Sequence, residues 1–93
     1  MADKTVSMSE RLATYVLKLE DCARRTHRAE DRSLYEKYLS DAAGMLAMSV
    51  AARPIVALRE RAQSHERLWG HTWLQDEVYR EAAEAWSAVK DEL

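Results

Sequence analysis

The sequence predicts a small all-α domain: a helical bundle, either of four helices in an up-down arrangement or of a long helical hairpin carrying two shorter helices. Three observations predict it. The 93 residues are rich in Ala, Leu, Glu, Arg and Met, all good helix formers. Two glycines, Gly44 and Gly70, and one proline, Pro54, are too few to supply the turns of a sandwich or barrel. Apolar residues recur at alternating spacings of three and four, the period of one helix face.

A first helix is expected over about 8–28. Ser7 and Glu10 have the spacing of a capping box, in which each side chain satisfies a free backbone N–H at the helix start. Met8, Leu12, Tyr15, Leu19, Cys22 and Thr26 then form one stripe, regular enough to favour long packing against a near-parallel or antiparallel helix. Residues 24–32 hold no large apolar side chain and predict the first turn; a helix running through them is the alternative.

Ser33 and Glu36 make a second capping box and open a helix over about 33–52. Its face carries Tyr35, Tyr38/Leu39, Ala42, Met45/Leu46 and Ser49. The small residues Ala42, Ala43, Gly44 and Ala47 invite close approach by another helix. Met48 lies off the stripe and marks a second face, inside the domain or at a subunit contact. Pro54 suits the first position of a third helix, over about 54–69, with Ile55, Leu58, Ala62, His65 and Trp69 on one stripe and Gly70 as its C-terminal cap. A fourth helix, about 73–92, is expected from a Thr72/Gln75 capping box or an Asp76 N-cap. Val78/Tyr79, Ala82, Ala85/Trp86, Val89 and Leu93 form its apolar face. The four helices make a single domain spanning 1–93.

Net charge is −2, so the whole chain has no electrostatic pull toward nucleic acid or an anionic membrane, and neither is expected as a partner. Arginines do cluster at positions 24, 25, 28 and 32 and at 53, 59, 61 and 67, but acids interleave with both groups. Six acids (Asp76, Glu77, Glu81, Glu84, Asp91, Glu92) against Arg80 and Lys90 make the last helix acidic, suited to docking inside the domain or on a basic partner. The lone Cys22 has no disulfide partner, and the polar segment Met1–Glu10 lacks the apolar core of a secretory signal; a reducing cytoplasm is the expected compartment. Lys90-Asp91-Glu92-Leu93 has the letters of an endoplasmic-reticulum retention tag, but reads as a charged helix end without such a signal.

No catalytic constellation stands out. There is no Gly-x-Ser-x-Gly elbow, no Ser-x-x-Lys and no phosphate-binding glycine loop. No cofactor is expected, and no metal site has a recognised ligand spacing. His65 and His71 are the candidates for a ligand or metal site between helices. On an apolar stripe, however, a lone His65 is more often a core residue bonded to a neighbouring hydroxyl or carbonyl. Leu68–Leu74 crowds two tryptophans, a histidine and leucines at one corner. Trp69, His71, Trp73 and Leu74 are therefore candidate partner-binding residues, the competing reading being an aromatic plug for the bundle end. The functional expectation is a non-catalytic interaction or accessory protein binding a protein partner, its own copy included, as a homodimer. The alternatives are a helical bundle binding a metal or small molecule, and an inhibitor or immunity-type partner of an enzyme or toxin acting through the acidic helix.

Overall fold

In a computed structural model, which describes residues 4–51, 54–70 and 78–93, the chain forms four helices: α1 (Lys4–Arg25), α2 (Ala29–Val50), α3 (Ile55–Gly70) and α4 (Tyr79–Asp91). No strand occurs among the described residues, and no helix there is long and apolar enough to cross a membrane. Helix α1 packs along α2 and α4, and α3 packs chiefly on α2. Contacts between opposite ends fit an up-down order. Ser9 near the start of α1 meets Ser49 near the end of α2 (2.7 Å), and Arg61 of α3 meets Asp41 of α2. Arg25 near the end of α1 meets Glu81 near the start of α4, and Arg11 near the start of α1 meets Glu92 just past the end of α4.

The inner stripes are those the spacing predicts. Met8, Leu12, Tyr15, Leu19 and Cys22 of α1 lie in the core with Tyr35, Tyr38, Ala42 and Met45 of α2, Leu58 and Ala62 of α3, and Ala82, Ala85, Trp86 and Val89 of α4. Each large member contributes ~1.5–3 kcal/mol by leaving water, which is why the 3–4 period outweighs local helix-end signals.

The helix ends differ from the expected ones. Helix α1 already runs at Lys4, so Ser7 lies in its first turn rather than before it. Helix α2 opens at Ala29 with Arg28 as an extended N-cap residue and no side-chain cap, so Ser33 is a second-turn residue and its capping box is not formed. A cap adds only ~1 kcal/mol, and other contacts decide the first turn. Thr26 is buried, its amide bonds to the Cys22 carbonyl (3.0 Å), and its hydroxyl accepts the Arg28 amide (3.3 Å). Arg32 then reaches back, donating to the carbonyls of Ala23 and Thr26, both at 3.1 Å. These are carbonyls that the end of α1 leaves without helical partners. Arg32→Ala should therefore destabilise the domain by about 1 kcal/mol in urea titration; a change below ~0.3 kcal/mol would show that this bracing contributes nothing.

Pro54 stands just before α3, its carbonyl accepting the amides of Ala57 (3.0 Å) and Leu58 (3.3 Å). Gly70 is the last helical residue of α3 and does not take the left-handed conformation of a cap. The expected start of the last helix at 72–76 lies outside the described residues. Two of the C-terminal acids pair with α1: Glu81 of α4 with Arg25 (3.1 Å) and Glu92, just past α4, with Arg11 (3.2 Å). Of the final four residues, Lys90 pairs with Glu66 (3.1 Å) and the Leu93 carbonyl accepts from Arg59 (3.0 Å).

Candidate functional site

The helix periods converge on His65. It sits on the stripe of α3 between Ala62 and Trp69, a full turn from each, and is completely buried. The facing stripes bring Tyr15 from α1, Tyr38 from α2 and Trp86 from α4 around its ring. Centroid separations are 5.4, 5.7 and 4.6 Å, all in edge-on arrangements. Such aromatic pairs add ~0.5–1.5 kcal/mol beyond the area they bury.

Both imidazole nitrogens are engaged. Nε2 lies 2.5 Å from the Tyr15 hydroxyl and Nδ1 lies 2.7 Å from Asp41 Oδ2. The network continues at both ends: Trp69 Nε1 donates to the Tyr15 oxygen (2.8 Å), and Arg61 Nε donates to Asp41 Oδ1 (2.8 Å). The proton positions follow from the chemistry of the terminal groups. Indole and guanidinium N–H groups only donate, and a carboxylate only accepts. Asp41 therefore accepts a hydrogen bond from Nδ1–H, leaving Nε2 as an acceptor. Tyr15, which accepts from Trp69, donates its own hydrogen to Nε2. The chain runs in one direction, Trp69 to Tyr15 to His65 to Asp41, with Arg61 closing it from the far side.

Burial pushes the His65 pKa below its ordinary 6.5, against the opposing pull of Asp41. Burial also pushes the Tyr15 hydroxyl well above its ordinary 10.0, more than the Trp69 hydrogen bond offsets. The Tyr15 hydroxyl is fully buried, with Trp69 and His65 bonded to its oxygen, and so is closed to any substrate atom. The order Asp–His–hydroxyl is that of a catalytic triad, but here it joins helices.

The sequence-derived site residues divide. Trp69, half-buried, belongs to this network and packs on Tyr38 with centroids 5.0 Å apart. His71, Trp73 and Leu74 lie outside the described residues. His65 offers no lone pair outward for a ligand, and no group of three His, Cys, Asp or Glu that could hold a metal occurs among the described residues. Cys22 is buried, its thiol donates to the Val78 carbonyl (3.2 Å), and burial pushes its pKa up to about 11. Sequence reasoning missed Tyr15, Asp41 and Arg61 as members of the network. Tyr15 on the inner stripe was the available signal, since a buried hydroxyl needs a partner. Asp41 gave none, because one carboxylate beside a stripe resembles any surface acid.

A second feature lies on the outside. Helix α2 carries two adjacent stripes of heptad spacing. The inner one, Asp31, Tyr35, Tyr38, Ala42, Met45 and Ser49, is buried. The outer one is displaced by a single residue: Arg32, Glu36, Leu39, Ala43, Leu46 and Val50. Leu39 and Leu46 are half-buried, Ala43 is exposed, and Val50 is 70% exposed. Beside it α1 presents Leu17, 64% exposed, and the groove between them is lined by Leu17, Ala23 and Leu39 and by the charged Glu20, Arg24, Arg32 and Glu36.

Comparison with protein-family models, curated proteins and solved structures finds no match for this chain.

Proposed function

We propose that the chain is a non-catalytic protein-interaction domain that self-associates through the outer face of the α1–α2 hairpin. The observation that carries the reading is the second heptad stripe of α2, apolar and uncharged from Leu39 to Val50 and left facing outward. Heptad stripes are the pattern by which helices pack on helices. The spacing of Leu39, Ala43, Leu46 and Val50 is four, three, four, which reads the same in both directions. A two-fold axis between residues 44 and 45 therefore sets α2 antiparallel on its copy. It opposes Leu39 to Val50 of the second copy and Ala43 to Leu46, a large side chain against a small one. Identical patches meeting in this way are the commonest form of homodimer contact. Nothing charged lies on the stripe between Leu39 and Val50, so the centre of the contact strips no charge of water, while Glu20, Arg24, Arg32 and Glu36 stand along the neighbouring groove.

Two 22-residue helices side by side offer a face about 33 Å long and roughly 20 Å wide. That is on the order of 650 Å² per copy, below the ~800 Å² of a standard partner surface, so the dimer is expected to be micromolar. The acidic last helix has less support as a docking surface for a basic partner, because Glu81 and Glu92 already pair with Arg25 and Arg11. The buried Cys22, the only cysteine, accords with a reducing compartment such as the cytoplasm.

Light scattering on a sizing column tests the reading over a concentration series from about 5 to 500 μM, a range set around micromolar affinity. The mass should rise from monomer toward dimer. Ala43→Glu, at an exposed position, should keep the melting temperature at low concentration and remain monomeric throughout. A wild-type monomer at the highest concentration overturns the proposal, as does a dimer that Ala43→Glu leaves intact.

A further inference from the structure

We propose that the Trp69–Tyr15–His65–Asp41–Arg61 chain is an acid-sensitive latch, and that protonation of His65 breaks it and releases α3 from α1 and α2. The inference is independent of self-association and rests on the direction of the hydrogen bonds. One proton pattern satisfies the chain: Nδ1–H toward Asp41, and a bare Nε2 facing the Tyr15 O–H. Adding a proton to Nε2 sets two donors against each other. Tyr15 could turn its hydrogen away, but its oxygen already accepts from Trp69, and among the described residues the hydroxyl has no further partner to receive that hydrogen. A buried donor left unmatched costs about 1–3 kcal/mol. The added charge also sits in a fully buried ring.

The groups around the ring do not remove the conflict. From α1 it faces Tyr15. From α2 it faces Tyr38 and Asp41, and Asp41 alone favours the imidazolium. On α3 itself, Arg61 opposes that charge while Glu66 favours it weakly. Glu66 is held outward by Trp86 and Lys90 of α4, which bond to its two oxygens. Desolvation outweighs Asp41, and the closed state accordingly holds its His65 proton less tightly than an ordinary imidazole.

Helix α3 is the element set free because of where its attachments lie. It packs chiefly on α2, whereas α1 packs on both α2 and α4. Two hydrogen bonds from α3 meet at the single Tyr15 hydroxyl, and two more meet at the Asp41 carboxylate. A proton on Nε2 breaks the attachment at Tyr15, and the charged ring reaches water only when α3 also leaves Asp41. Outside the latch α3 is also held by the Tyr38 hydroxyl on the Leu68 carbonyl and by the contacts of Glu66 and Arg59 with the α4 end.

The sign follows from linkage. The opened state binds its proton at the ordinary 6.5 and the closed state at a lower pH, so between the two the opened state holds more protons. Opening is therefore favoured as pH falls below 6.5, by up to about tenfold per pH unit.

Native-state hydrogen exchange of the full chain at pH 7 and pH 5, corrected for intrinsic exchange rates, reads this helix by helix. Amides of α3 should lose protection by roughly ten- to thirtyfold at pH 5, the most one proton allows over that range, while those in the middle of α1 and α2 hold theirs. Tyr15→Phe removes the opposing donor, so His65 can be protonated against Asp41 without conflict and the α3 loss should shrink. Asp41→Asn, which stands nearer the surface, removes the group that most favours the imidazolium in the closed state, widens the gap from the opened state, and should deepen the α3 loss on acidification relative to its own pH 7 baseline. Protection of α3 that is independent of pH overturns the latch. So does equal loss from all four helices, which is global unfolding, and so does an Asp41→Asn variant whose α3 loss on acidification is smaller than that of the wild type.

Discussion

Replacing His65 by Ala is expected to cost about 3–5 kcal/mol, most of the stability of a domain this size. Two losses add. The ring is completely buried between Tyr15, Tyr38 and Trp86, so truncation leaves a cavity that these three rigid side chains cannot close. The substitution also strands the Tyr15 hydroxyl inside the core, since its hydrogen is directed at Nε2. Urea unfolding monitored by circular dichroism measures the change. His65→Phe separates the two parts: it refills the space and leaves the hydroxyl stranded, so it should cost ~2 kcal/mol. A loss below ~1 kcal/mol for His65→Ala would mean that the network is incidental to the fold.

The second large effect is expected at Trp86, where truncation to Ala should cost about 3–5 kcal/mol. The indole is 3% exposed and packs on both His65 and Tyr15, with centroids at 4.6 and 5.2 Å. It is the side chain by which α4 closes over the polar network. Its N–H matters much less than its volume. That N–H donates to Glu66, whose side chain is 49% exposed and can take water instead. Trp86→Phe should therefore cost only ~1 kcal/mol, and a loss as large as that of Trp86→Ala would contradict this division. Thermal melts of the two variants side by side make the comparison.

These expectations separate two uses of polar groups in the molecule. Those at the helix surfaces, such as Arg25 with Asp21 and Glu81, are exposed pairs whose contribution is small. At the centre, Tyr15, His65 and Asp41 are bonded to one another and to Trp69 and Arg61, as a low-dielectric interior requires. Because the chain has no Phe, the large rings of the core are Tyr, Trp and His. Each brings a polar atom inward that must be bonded. The central network is thus a consequence of composition as much as of position.

How much of this was legible beforehand can be followed residue by residue. Period alone determined that the chain is helical and which side of each helix faces inward: Leu12, Tyr15 and Leu19, Tyr38 and Met45, Ala62 and His65, Trp86 and Val89 are all buried. This information is local, because one helix turn relates the members of a stripe and burial supplies the largest energy. The likeliest state of a lone His among apolar residues, bonded inside the core, followed from the cost of leaving it unbonded. The helix ends were not determined in this way. Ser33 has the spacing of a cap, yet α2 begins four residues earlier, because Thr26 and Arg32 close the first turn through contacts nine or fewer residues apart that no capping pattern encodes. Only the tertiary structure decided that Tyr15, Asp41 and Trp69, fifty, twenty-four and four residues from His65, meet around it and fix its proton. Spacing shows that a side chain points inward; which polar atoms meet there depends on the register between helices, and that register is set by the packing of the whole core.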